Sequence, residues 1–310
     1  MEKVFVPYEF FTEKLGNYCC IDVRENSRAV VLVIHGMMEH SDRYGHLRKS
    51  LLDNGFGYAA LDLPGHGKSI TNEKPAGYWP KKGFEQCREE IGELISDIKS
   101  TYRLPVILFG HSMGSFLSKG IISKYGSQLS GCILSGTNDR QPALLLAAGR
   151  TISSLITGIK GEAHYSKMLH DMAFGNYNKR INPVRTSNDW LTTDEAEVDK
   201  YNKDPLCGFN CTVAFYKDFT TWLSKIYDRD NLSVIPDNLP IYIFSGGDDP
   251  VGNYGKGVAS FRNRLYSLGK RKILLRLYEG KRHECLNERN REEVLGHINE
   301  FCNEVLAERI

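Results

Sequence analysis

The stretch Gly110-His111-Ser112-Met113-Gly114 sets a serine in a turn where its hydroxyl could act as a nucleophile. An apolar run at 106–109 precedes the turn, and a stretch with helical spacing at 115–125 follows it. A sharp turn from strand to helix projects a serine hydroxyl at the strand's end, and small flanking residues let neighbouring backbone pass closely. The first amides of the helix point at the same place, where negative charge would develop. These features predict that Ser112 is a catalytic nucleophile.

A serine hydroxyl needs a base, and the base needs an acid that orients it. The apolar run 241–244 leads into Asp248 and Asp249, and the run 273–277 leads into His283. The chain order Ser, Asp, His is the one expected of an α/β-hydrolase sheet. His283 is therefore predicted to be the base, with one of the two aspartates as its partner.

Each of these residues also has a structural interpretation. Asp248 and Asp249 could cap the turn before Pro250, as aspartates often do. His35 and His66 also lie in loops after strand-like runs, but neither follows the last strand. The position of His283 favours it over both.

An oxyanion formed at Ser112 would need two amide donors. The first is predicted to be Met113, the residue after the nucleophile. The run 29–34 leads into His35-Gly36-Met37, and Gly36 would let the backbone turn beneath a substrate. Met37 is the predicted second donor, and His35 is interpreted as a residue that packs the loop.

The elements that must position these residues alternate between strand-like and helix-like stretches. Short apolar runs occur at 18–23, 29–34, 58–61, 106–109, 132–134, 241–244 and 273–277. Amphipathic stretches of helix length occur at 83–102, 115–125, 255–268 and 292–306. Nearly continuous apolar runs are typical of strands buried on both faces of a mostly parallel sheet. The sequence therefore predicts a doubly wound α/β fold with helices on both faces.

One long interval interrupts this alternation. Residues 138–235 contain no comparable strand-like run, whereas strand periodicity resumes at Ile241. We predict that 138–235 form a helical cap inserted into a core made of 1–137 and 236–310. The apolar stretch 142–159 is interpreted either as a buried helix of the cap or as the wall of an acyl channel that Leu145 or Leu155 would face. Arg150 and several hydroxyl residues argue against a membrane span.

Composition excludes several classes of function. The 310 residues carry 40 basic and 38 acidic side chains, a net charge of +2 with no long basic run, which argues against nucleic-acid binding. The first 16 residues are interpreted as neither a signal peptide nor a membrane span. Among eight cysteines, only Cys207 and Cys211 have a short ligand-like spacing, and nothing nearby completes a zinc site. Reduced thiols, a cytoplasmic location and the absence of a metal are the expectations.

Five motifs together resemble one known family. They are HGMMEHSDRY, LDLPGHGKS, FGHSMGS, SGGDDPVG and YEGKRHECLNE, and they extend from about Val31 to Leu286. The set resembles the monoacylglycerol lipase and lysophospholipase group of the α/β-hydrolase fold, often filed with the serine aminopeptidases (S33). The resemblance implies a triad of Ser112, Asp249 and His283, because the family's acid directly precedes a Pro-Val step. Asp248 stays open as the alternative acid.

The sequence departs from this family at Met38, where a glycine is usual. The Met37 amide could still donate, but the extra side chain would reshape the loop or narrow the acyl entrance.

The expected activity is hydrolysis of a carboxylic ester, a monoacylglycerol or lysophospholipid-like single-chain lipid, through an acyl-enzyme on Ser112 and without a cofactor. A cap of this kind is also a candidate for transient contact with a membrane surface. The alternatives are a small-ester or thioester hydrolase, a non-catalytic binding protein, and an aminopeptidase whose cap carboxylates hold an α-ammonium group. Asp194, Glu195 and Glu197 are available for that last role, although such a charge run is typical of a solvated helix face.

Overall fold

A mostly parallel eight-stranded sheet forms the centre of the structure, a computed structural model that describes residues 7–308. The first six residues of the N-terminal stretch considered above lie outside it. The strands are β1 (Tyr8–Phe11), β2 (Tyr18–Asp22), β3 (Val30–Ile34), β4 (Gly57–Leu61), β5 (Val106–His111), β6 (Gly131–Ser135), β7 (Ile241–Gly246) and β8 (Ile273–Tyr278). Their order is β1-β2-β4-β3-β5-β6-β7-β8, with β1 and β2 antiparallel to their neighbours and the rest parallel.

Helices surround the sheet and occupy the long interval between β6 and β7. They are α1 (Gly45–Asp53), α2 (Gly83–Tyr102), α3 (Met113–Tyr125), α4 (Ala143–Lys160), α5 (Lys167–Phe174), α6 (Glu195–Lys203), α7 (Val213–Lys225), α8 (Arg229–Ser233), α9 (Lys256–Ser267) and α10 (Arg291–Leu306). Short 3-10 turns lie at Ser41–Tyr44, Gly67–Ser69, Gly126–Gln128, Asp189–Leu191 and Cys285–Asn287. The predicted α/β class is confirmed.

Both faces of the sheet are covered, which explains the continuous apolar strands. Every residue of β3 is fully buried, and successive side chains enter opposite layers. Leu32 lies in the layer that contains Ile91 of α2, whereas Val33 lies in the layer that contains Ile298 of α10. Because side chains alternate along a strand, such a strand must be apolar at every position.

Strand β1 was not predicted, and its environment explains why. It pairs only with β2, at the edge of the sheet, and most of its side chains are exposed. An edge strand lacks the continuous apolar run on which the other predictions relied.

The interval 138–235 contains the helices α4 to α8. That it is a separate cap with those boundaries stays a prediction. By length and composition α4 is the one helix in residues 7–308 that could cross a membrane, with a mean hydropathy of 1.2. Its prediction as a buried helix is wrong: Leu144 and Ile159 are 83% and 82% exposed, because only one side of the helix packs, chiefly on α7.

Candidate active site

Ser112 lies in a strained turn between the last residue of β5 and the first residue of α3. Its φ is +51° and its ψ is −119°, a conformation that non-glycine residues rarely adopt. The Ser112 amide donates a hydrogen bond to the carbonyl of Ser135 (2.9 Å), and its own carbonyl accepts from the amides of Ser115 (2.9 Å) and Phe116 (3.2 Å). The side chain is half-buried and contributes to the wall of a pocket.

Glycines at 110 and 114 are required by the close approach of backbone around this turn. A Cβ on Gly114 would overlap the carbonyl oxygens of Ile34 and His35, the latter at 2.5 Å. A Cβ on Gly110 would lie 2.6 Å from the carbonyl oxygen of Gly114. These are backbone oxygens, which cannot move away as the end of a flexible side chain could.

Gly114→Ala is therefore expected to lower the free energy of unfolding by roughly 2 kcal/mol or more. Gly296→Ala is the matched control, because Gly296 is also helical and nothing lies within 4 Å of an added Cβ. That control should be neutral, or more stable by about 0.5–1 kcal/mol. Urea unfolding monitored by circular dichroism measures both; an unchanged midpoint for Gly114→Ala would contradict the packing argument.

Asp249 and His283 are brought together at the carboxyl ends of β7 and β8. His283 Nδ1 lies 3.0 Å from both carboxylate oxygens of Asp249. The Ser245 hydroxyl donates to Oδ2 of Asp249 at 2.6 Å, and the Val251 amide donates to Oδ1 at 2.8 Å. Asp248, in contrast, has an exposed side chain.

The two partners shift one another's pKa. Burial opposes ionisation of Asp249, but the His283 charge and the hydrogen bonds outweigh it and hold the pKa of Asp249 below its usual value. Burial likewise opposes protonation of His283, and the Asp249 carboxylate outweighs it, so the pKa of His283 is raised. An imidazole in this position is stabilised when it carries a proton.

Two aromatic rings lie against the His283 imidazole. The Trp190 ring centroid is 5.0 Å away and the His111 centroid 4.7 Å. His111 Nδ1 lies 3.1 Å from the Ser135 hydroxyl, and burial, then the nearby His283 charge, lowers the pKa of His111 to about 4. His111 is therefore neutral near pH 7 and is not a second cation beside His283.

The two predicted oxyanion donors contribute to the wall of the same pocket as Ser112 and His283. Met113 begins α3, so its amide has no acceptor within the helix. Among residues 7–308, no protein acceptor is found for the Met37 amide. Both amides are thus available to a substrate.

The Met38 backbone adopts a conformation that favours glycine. Its φ is +59°, in the left-handed region, and its side chain is buried in the pocket wall. Its carbonyl accepts from the Gly208 amide and the Tyr201 hydroxyl, both at 3.0 Å. The loop conformation is therefore held by residues 201–208 and does not require glycine.

The sequence argument missed a buried ionic network beneath the pocket. Arg43 donates two hydrogen bonds of 2.7 Å to Glu284 and one of 2.6 Å to Glu39. Burial opposes ionisation of Glu39, but Arg43 outweighs it and brings the pKa of Glu39 to about 2. Glu39 also accepts from the Gly36 amide at 2.5 Å, so the network ties the loop that carries the predicted donor Met37 to the residue after His283. The i, i+4 spacing of Glu39 and Arg43 was the only sequence signal.

The pocket itself is narrow and mostly apolar, with a cavity of about 80 Å³. The interval 138–235 supplies one side of it through Ala173, Phe174, Tyr177, Trp190, Leu191, Tyr201 and Phe219. The prediction that Leu145 or Leu155 faces this space is wrong. Both are exposed on α4 and neither contributes to the pocket wall, because the side of α4 that packs carries Leu146 and Ser153 instead.

The carboxylates considered for an aminopeptidase lie elsewhere. Asp194 caps α6 by accepting from the Ala196 amide, and Glu197 pairs with Arg291. Glu195 is an exposed residue of the same helix. None of the three contributes to the pocket wall within residues 7–308.

A possible metal-ligand cluster differs from the cysteine pair considered in the sequence. His40, Asp204 and Cys207 each have one potential ligand atom within 4.8 Å of the others, and Cys211 is not among them. His40 Nε2 lies 2.9 Å from Asp204 Oδ2, so a hydrogen bond already accounts for that pair.

Comparisons with known proteins agree with this geometry. The family model described as serine aminopeptidase, S33, matches residues 25–290. A carboxyl esterase from Bacillus coagulans, solved in complex with glycerol, is 30% identical, with 97% of this chain and 98% of that chain covered and a TM-score of 0.89.

Two relatives by sequence carry lipase names. A phospholipase of Bacillus subtilis is 25% identical, over 90% of this chain and 96% of that protein. The monoglyceride lipase of Rattus norvegicus is 26% identical, over 83% of this chain and 75% of that protein. These similarities confirm the α/β-hydrolase fold and ester-hydrolase class predicted from the five motifs. The chain belongs to the serine aminopeptidase S33 family, within its monoacylglycerol lipase group, and is a serine ester hydrolase.

Proposed function

We propose that the protein hydrolyses a carboxylic ester of a single-chain lipid, a monoacylglycerol or a lysophospholipid-like molecule. The observation that carries the proposal is that His283, which pairs with Asp249, contributes to the wall of the same apolar pocket as Ser112. The names of the relatives and the apolar pocket wall support a substrate whose acyl group is that of a lipid. Every group in the scheme is supplied by the chain, so no cofactor is required.

The reaction would proceed by two acyl transfers. The Ser112 hydroxyl attacks the ester carbonyl while His283 accepts its proton, and the Met37 and Met113 amides receive the oxyanion. His283 then protonates the leaving alcohol, and Ser112 remains as an acyl ester. Water, deprotonated by the same imidazole, attacks that ester; His283 then returns the proton to the leaving Ser112 oxygen, which releases the acid and restores the free hydroxyl. Asp249 holds the imidazole in the required tautomer and stabilises its charged form.

A small-ester or thioester hydrolase is the second candidate, and the cavity volume favours it. About 80 Å³ is far below the roughly 300–1,000 Å³ of typical ligand pockets. A long acyl chain would need side chains such as Phe174 and Phe219 to move. A short acyl group would need no such movement.

A substrate panel tests both candidates. We expect turnover of long-chain monoacylglycerol and lysophospholipid to exceed that of acetyl esters, with aminoacyl anilides left intact. Faster turnover of acetyl esters or thioesters would favour the second candidate. A fluorophosphonate probe that fails to label the wild-type protein at Ser112 would instead favour a non-catalytic binding protein.

The pH dependence follows from His283. The base must be neutral, so kcat/KM should rise with pH as the imidazole loses its proton. Because Asp249 raises the pKa of His283, the midpoint is expected above 6.5. Initial rates on a soluble ester from about pH 5 to 9 measure it, and a flat profile would argue against a histidine base.

We also propose transient contact with a membrane surface through α4. Leu144, Leu145, Leu155 and Ile159 are exposed along this helix. Leu144→Asp with Ile159→Asp should weaken co-sedimentation with phosphatidylcholine vesicles while leaving hydrolysis of a soluble ester unchanged. Co-sedimentation equal to wild type would remove α4 as the contact.

A cytoplasmic location is supported by the cysteines. All eight are free and buried, as expected in a reducing compartment.

A further inference from the structure

Residues 189–193, which lie in the interval between β6 and β7, are fastened to the loop that carries His283. The His283 amide donates to the carbonyl of Trp190 at 3.4 Å, and the Glu284 amide donates to the carbonyl of Leu191 at 2.6 Å. The two backbones therefore run side by side at the predicted base.

Side chains of the His283 loop strengthen this attachment from both sides of the histidine. Arg282 Nη1 donates to the carbonyls of Asp189 (2.7 Å) and Thr192 (3.1 Å). The buried Glu288 carboxylate accepts from the amides of Thr193 (3.1 Å) and Arg282 (2.8 Å). Glu288 thus bridges the two segments, yet it does not contribute to the pocket wall.

The Trp190 ring is itself held in place. The ring packs on Tyr177 with a centroid distance of 4.8 Å and on Phe174 at 6.0 Å. The backbone amide of Trp190 donates a hydrogen bond to Asn178 Oδ1 at 2.9 Å. The same ring lies 5.0 Å from the His283 imidazole, at 39°. Motion of residues 189–193 would therefore be transmitted to the histidine.

We infer that Trp190 and Glu288 are positioning residues that hold the His283 imidazole on its catalytic alignment, an inference that rests on the proposed role of His283 as base. Residues 189–193 then form one unit with the loop that carries His283. A displacement of about 1 Å at a reacting group can reduce the rate by about 100-fold, so such attachment has a measurable effect.

The first test replaces the ring. Trp190→Ala should lower kcat on p-nitrophenyl acetate by about 10-fold or more per titrated active site, whereas Trp190→Phe should retain most of it. Trp79→Phe is the control, because Trp79 is also a buried tryptophan but does not contribute to the pocket wall. This control should leave kcat on acetate unchanged per titrated site.

The pH profile separates positioning from a simple change of pocket shape. The charged groups around His283 are Asp249, Glu284 and Glu39, with neutral His111 alongside. Burial opposes protonation of His283, so water admitted by Trp190→Ala should raise its pKa and move the midpoint upward. An unchanged midpoint together with unchanged kcat would show that Trp190 is only a pocket wall.

The second test leaves the pocket intact. Glu288→Ala should lower kcat about 10-fold with KM unchanged, and Glu288→Gln, which keeps an acceptor oxygen, should recover part of the rate. Titration with a fluorophosphonate corrects for any unfolded fraction. Wild-type kcat per titrated site in Glu288→Ala would overturn the inference, whereas substantial activity in His283→Ala would overturn the proposed function itself.

Discussion

Ser112→Ala and His283→Ala are each expected to reduce kcat by roughly 10⁴-fold or more, the largest effect of any change considered. Groups that act as one unit fail together, because neither an unactivated hydroxyl nor a base without a nucleophile carries the acyl transfer. Steady-state rates on a soluble ester measure the loss. Fluorophosphonate labelling should also disappear in Ser112→Ala.

A second serine and a second histidine serve as matched controls. Ser123 lies on α3 and its hydroxyl donates to the carbonyl of Gly120, so Ser123→Ala should keep its activity. His46 is exposed, and His46→Ala should behave likewise. Melting temperatures should remain close to wild type in the two inactive variants. A tenth of wild-type activity in either would refute the assignment.

The second large effect is a difference in kcat between Asp249→Asn and Asp248→Asn. Asp249→Asn should lower kcat by about 10⁴-fold, because an amide in place of the carboxylate favours the wrong imidazole tautomer and does not stabilise its charged form. Asp248→Asn is the matched control, since the exposed Asp248 carboxylate makes no hydrogen bond to His283 in the part of the chain that the structure describes. Its activity should stay within about 2-fold of wild type.

The two asparagine variants should also differ in how their remaining activity depends on pH. Without the Asp249 charge the pKa of His283 falls, so the remaining activity of Asp249→Asn should have a lower midpoint than wild type. Equal losses in both variants, or the reverse order, would transfer the role of the acid to Asp248.

The local signals in the sequence predicted the sheet well where both faces are buried. The central strands β3 and β5 lie within one or two residues of the predicted runs, because full burial demands apolar side chains throughout. The amphipathic stretch 83–102 coincides with α2. Exposed β1 has no such pattern and could not be found in this way.

The helices of the interval 138–235 were harder to place. An apolar composition predicts a helix such as α4 but does not say which neighbour covers it. Four of its large side chains stay exposed, while the pocket is walled by residues from α5 and from 177 to 219. The contacts that decide this join residues far apart in the chain.

The sequence by itself determined the fold class and predicted which residues could carry the chemistry, since a nucleophile turn and acidic and basic residues at strand ends are local patterns. Only the tertiary structure decided which aspartate meets His283, because Asp248 and Asp249 are adjacent and differ only in the direction of their side chains. It also decided the network of Glu39, Arg43 and Glu284, and the attachment of residues 189–193. Charges buried against partners more than 200 positions away leave no periodic signal, so their pairing becomes visible only when the chain has folded.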